Sequence, residues 1–136
     1  MSAVSAPHWT IESLENATID AEAFDHEGHI YLGWLYLERY PLADGIKRFT
    51  NDLRRLTRKL GVPGKYHETI SWFYLLLIEE RRSVSPANNW FGFRRANNDL
   101  FCRDNSILER YYSKELIYSD RARQSFVLPD RLANPA

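Results

Sequence analysis

One cysteine and one methionine are all the sulfur in 136 residues. The single thiol, Cys102, leaves no partner for an internal disulfide and cannot build a cysteine-rich zinc site. With no His or acidic residue placed beside it as an activating pair, it is expected as a small buried hydrophobe. Charge of one sign is also lacking. Eighteen Lys+Arg balance 18 Asp+Glu, so no net field draws the chain to nucleic acid or to an anionic membrane. No apolar run approaches the ~18 residues of a membrane span, and no charged-then-apolar leader opens the chain. A cytoplasmic protein with no membrane attachment is expected. Gly/Ser linkers, internal repeats and low-complexity tracts are missing, as are the alternating patterns of strands. An all-α fold is what remains.

What is present fits one helical domain. The length suffices for a real core, and aromatics reach 14%, with four Trp and eight Tyr. Such residues fill cores, and their polar tips also line ligand pockets. Residues 1–19 read as a loosely ordered lead-in and 20–136 as a single helical domain. A first long helix is expected from an Asp20 N-cap, with Glu22 in its first turn, to Arg39, where Tyr40-Pro41 stops it. Gly33 costs ~1 kcal/mol in its interior, which suggests close approach of a helix or ligand.

A second helix, from Pro41 or Leu42 to Leu60, sets the apolar stripe Leu42, Ile46, Phe49, Leu53, Leu56, Leu60 against a basic face. That face holds Lys47, Arg48, Arg54, Arg55, Arg58 and Lys59. A third is expected over Lys65–Arg82. Short helices are expected over Pro86–Ala96, Ser106–Tyr112 and Asp120–Phe126, the last capped by Ser119. The result is a compact bundle of three long helices plus two or three short C-terminal ones.

The histidines are the pointed feature. His26 and His29 stand one turn apart on one face of the first helix, and His67 opens the third. Three imidazoles at one level would bind zinc, iron or copper and leave open positions for water, dioxygen or substrate. Glu22 and Tyr36 share the side of the helix that carries the histidine pair. Lys65, Tyr66 and Glu68 surround His67 at a helix start: Glu68 is the candidate base or ligand, Lys65 an anion holder and Tyr66 a donor or proton relay. Read blandly, these are satisfied core groups beside a capped terminus. The basic face of the second helix is interrupted by Asp44 and Asp52 and lacks a nucleic-acid signature, so a solvated face is favoured over phosphate contact. Trp90-Phe91-Gly92-Phe93-Arg94-Arg95 is expected to pack its rings on the bundle; the sharper reading is a lid.

The runs Phe24-Asp25-His26-Glu27-Gly28-His29, Gly64-Lys65-Tyr66-His67-Glu68-Thr69-Ile70 and Tyr111-Tyr112-Ser113 through Phe126-Val127-Leu128-Pro129-Asp130 resemble small bacterial helical proteins of about this length. The resemblance spans the chain from about residue 20 and carries over no activity. Neither the paired Glu-x-x-His of di-iron bundles nor the His-Glu-x-x-His of zinc peptidases is present. The leading expectation is a small mononuclear metalloenzyme with ligands His26, His29 and His67, acting on a small polar or anionic substrate. Whether it is a lyase, hydrolase or oxidoreductase stays open, as does a homodimer. The alternative is a metal-free helical module that binds a small molecule or a protein partner.

Overall fold

A computed structural model of the chain describes residues 9–20, 24–84, 89–102 and 106–131. Its helices are α1 (Ile11–Glu15), α2 (His26–Arg39), α3 (Leu42–Lys59), α4 (Glu68–Val84), α5 (Trp90–Ala96), α6 (Leu108–Tyr111), α7 (Lys114–Ile117) and α8 (Asp120–Gln124). Tight 3-10 turns occur at Pro63–Lys65 and Asn98–Phe101. The described residues contain no strand, and the fold is all-α. None of their helices is long and apolar enough to cross a membrane.

The three long helices, α2, α3 and α4, pack on one another in all pairs. Gly33 is the reason α2 and α4 come so close. A Cβ there would lie 3.1 Å from both Leu75 Cδ2 and Ile78 Cδ1 of α4, so its absence makes room for two buried side chains. Helix α3 carries its expected stripe inward, with Ile46, Phe49, Leu53 and Leu56 buried.

The N-terminal boundary of α2 departs from expectation. The helix starts at His26, capped by Asp25, whose Oδ1 accepts the Gly28 N–H at 2.9 Å. Two good capping aspartates compete here, and the cap at Asp25 puts Glu27 in the first turn, where the dipole favours it. Residues 21–23, Glu22 among them, lie outside the described residues.

The stretch expected as a loose lead-in is built into the core from residue 9 onward. Thr10 and Ser13 form a reciprocal capping box, and Ile11, Leu14, Ala17 and Ile19 are buried. Trp9 lies over Gly28, so closely that a Cβ on that glycine would overlap the indole. Two residues of the basic face of α3 hold this segment. Arg55 donates to the Glu15 carbonyl at 2.9 Å and Lys59 to the Ala17 carbonyl at 2.7 Å, both at the C-terminal end of α1. Asp52, expected on the solvated face, is buried and accepts the Tyr36 hydroxyl at 2.7 Å.

Beyond α4 the short elements strap the bundle. Arg81 ties the Asn98–Phe101 turn to α4 through Asp99 at 2.8 Å. Helix α5 begins at Trp90, capped by Asn89, with Trp90 and Phe93 buried against Trp34. Residues 85–88, where its start was expected, are outside the described set. Helix α6 is shorter than expected, and α7, capped by Ser113, was not anticipated. Ser119 caps α8 as expected. The fully buried Thr69 hydroxyl on α4 donates to the Ser125 carbonyl at 2.8 Å and accepts the Val127 N–H at 3.1 Å. Cys102, expected inside, is exposed. The 3-10 turn before it buries Leu100 instead and leaves the thiol beyond the turn's end.

Candidate functional site

Helix α4 starts three residues later than expected, and that shift decides the role of His67. With Glu68 as the first helical residue, His67 is the N-cap: its carbonyl takes the Ser71 N–H and its Nδ1 takes the Ile70 N–H at 3.2 Å. Its Nε2 lies 2.6 Å from the Ile117 carbonyl, which can only accept, so Nε2 carries the proton. Both nitrogens are thereby engaged, and the ring is held as the neutral Nε2–H tautomer. Burial pushes its pKa below the ordinary value, although the Ile117 carbonyl works the other way.

His26, at the first position of α2, donates from Nε2 to the Leu100 carbonyl at 2.8 Å and sits edge-on to Tyr74. His29 is different. It stacks on Phe24 with ring centroids 5.1 Å apart, leans on Phe49 at 5.5 Å, and its Nε2 is buried with no hydrogen-bond partner among the described residues. Burial, with a smaller contribution from His26, pushes its pKa down to about 4. The imidazole is neutral at pH 7.

The three imidazoles do not form a donor set. Among the described residues, no group of three or more His, Cys, Asp or Glu side chains is placed to hold one ion. The groups expected around them are also committed elsewhere. Glu68 pairs with Arg54 at 2.6 Å and accepts the Tyr66 hydroxyl, while Arg54 lies over the Tyr66 ring. Burial, then that carboxylate, raises the Tyr66 pKa. Tyr36 is bound to Asp52 in the core. Lys65 is exposed on the 3-10 turn. The Trp90–Arg95 segment packs its buried rings on the bundle, and Arg94 pairs with Glu27 at 3.4 Å and stacks on Phe101.

What α2, α3, α4 and the α3–α4 connection do border is a partly open cavity of about 370 Å³. Its apolar wall comes from Phe24, Leu53, Leu56, Leu60, Val62 and Ile70, and its polar groups from His29, Thr57, Lys65, Tyr66, His67 and Ser71. Four of the residues singled out in the sequence, His29, Lys65, Tyr66 and His67, therefore meet on one wall system. His26 and Glu68 do not line it. Leu53, Leu56 and Leu60 belong to the recognised stripe of α3, but a stripe that borders a void has the same spacing as one that meets a partner. Thr57 and Ser71 carried no signal at all. An apolar cavity of this size with a few convergent polar groups is the form of a small-molecule site. No protein-family model matches the chain, and neither does any curated protein or solved structure.

Proposed function

We propose that this chain is a helical small-molecule-binding module whose ligand occupies the cavity between α2, α3 and α4. The observation that carries the reading is His29: a neutral imidazole on the wall of an apolar cavity, with a buried Nε2 that no group among the described residues satisfies. A buried polar atom without a partner costs ~1–3 kcal/mol, and a hydroxyl on a ligand in the adjoining cavity would recover part of that cost. An apolar cavity of ~150 Å³ holds benzene, so one of about 370 Å³ suits a ligand of roughly ten to fifteen non-hydrogen atoms. Its body is apolar, to match the leucines, and it carries a hydroxyl, which serves either imidazole tautomer. At ~0.3 kcal/mol per atom, Kd falls on the order of 10⁻³ M, and several-fold tighter with the His29 bond.

This reading displaces the three-histidine metal centre from first place. A metal would require His67 to give up the Ile70 cap or the Ile117 bond, and His26 offers Nε2 to Leu100. The test is titration with 4-ethylphenol, read by thermal stability and by the ¹⁵N shifts of the His29 ring. Saturable stabilisation with movement of the His29 resonances is expected. Absence of saturation, or saturation that leaves His29 unmoved, overturns the reading.

A further inference from the structure

Among the described residues, the cavity wall holds one formally charged side chain, the cation Lys65, and no carboxylate. That imbalance is local. The chain as a whole is neutral, and of the other cations near this end Arg54 pairs with Glu68 and Arg55 with Asp52, while Lys59 bonds to the Ala17 carbonyl. Lys65 has no carboxylate within ion-pair distance among the described residues, so its charge stands at the cavity uncompensated. The turn that carries it is reinforced by more positive charge. Arg123 of α8 donates to the Gly64 carbonyl at 2.7 Å, which sets a guanidinium against the Pro63–Lys65 turn and pins it. The two histidines on the wall add none, both being held towards their neutral forms.

Resting on the small-molecule reading above, we infer that the ligand is a small organic monocarboxylate, its acid group beside Lys65 and its apolar body along Leu53, Leu56 and Ile70, with a hydroxyl for His29. The single ammonium on this wall favours a carboxylate over a phosphate. A phosphate dianion is held by several convergent donors or a bidentate guanidinium; the wall offers no guanidinium, and its Thr57, Tyr66 and His67 donors are already engaged by the Arg54 carbonyl, Glu68 and the Ile117 carbonyl. Lys65 is exposed, so the acid group stays at the solvent edge and keeps part of its hydration while the body is buried. The selectivity this gives is modest in size and salt-dependent, as for any exposed ion pair.

Three probes of one skeleton test this on the full chain: 3-(4-hydroxyphenyl)propionate, its primary amide, and 4-ethylphenol, which lacks the head group. Affinities are measured by calorimetry at pH 7.5, at low and high salt, on wild type and Lys65→Met. The exposed position of Lys65 leaves the fold intact in that variant, and circular dichroism checks it. The acid is expected to bind about three- to ten-fold tighter than the amide at low salt. High salt or Lys65→Met should remove that preference and leave the amide and 4-ethylphenol unchanged. If the amide binds as tightly as the acid, or the preference survives in Lys65→Met, the monocarboxylate assignment is overturned while the cavity reading stands. If none of the three binds, both are overturned.

Discussion

His29 makes an acid-stability prediction whose size follows from its surroundings. In the unfolded chain its imidazole takes up a proton near the ordinary value of 6.5, but in the fold burial delays this to about 4. Between those values the unfolded state binds the proton and the native state does not, so stability falls as pH falls. The contribution is fully present above pH 7, is lost from about 6.5 downwards, and levels off below about 4. Each pH unit of displacement is worth ~1.4 kcal/mol, so the loss reaches about 2 kcal/mol at pH 5 and about 3 kcal/mol in full.

Phenylalanine at this position suits the stack with Phe24 and Phe49 and removes both the titration and the unpartnered Nε2. Urea unfolding followed by circular dichroism at pH 7.5, 6 and 5 would compare wild type with His29→Phe. The variant should be at least as stable at pH 7.5 and should lose about 2 kcal/mol less on going to pH 5. Carboxylates and His67 titrate alike in both proteins and cancel in the difference. Equal acid losses in the two proteins would refute the claim that the fold holds His29 neutral.

Other consequences follow from the packing and the caps. Tyr36→Phe takes a hydrogen bond from the buried Asp52 carboxylate and should lower unfolding free energy by about 1.5–3 kcal/mol in urea titration, since bonds to charged groups are the stronger ones. Gly33→Leu forces atoms into the space filled by Leu75 and Ile78 and should destabilise by about 1–3 kcal/mol or more, with an unchanged m-value if the fold survives. Thr69→Val keeps the shape of the side chain but leaves the Ser125 carbonyl and Val127 N–H unpaired; a loss of about 2 kcal/mol and faster amide exchange at Val127 are expected. Protein equilibrated with zinc, iron(II) and copper(II) and then desalted should retain no stoichiometric metal. One bound equivalent that disappears in His67→Ala would restore the three-histidine centre.

The long helices were legible because their apolar spacing is sustained over four or more turns, and Gly33 signalled a close approach that the structure shows between α2 and α4. Helix α1 was not, because five residues are too few to display a period. The start of α2 was misplaced because Asp20 and Asp25 are equally good caps in isolation, and the choice between them is made by tertiary contacts such as Trp9 on Gly28. The histidines show the limit more sharply. Spacing placed His26 and His29 one turn apart, but it could not show that Leu100 and Ile117, 74 and 50 residues away, would claim two of the three rings. Nor could the α3 stripe reveal which of its leucines border a void. Those facts depend on partners remote in the chain.

The central claim is that the cavity bordered by α2, α3 and α4 is where a small molecule binds, and filling that space tests it directly. Thr57 is half-buried on the cavity wall, and among the described residues its hydroxyl bonds only to the Arg54 carbonyl of its own helix, so a larger residue is tolerated there. Calorimetric titration of 4-ethylphenol into wild type and Thr57→Trp, with unfolding curves to confirm that both are folded, is the measurement. Saturable one-to-one binding to wild type that is lost in Thr57→Trp is the predicted result; equal affinity for the two proteins, or no saturable binding to wild type, would contradict it.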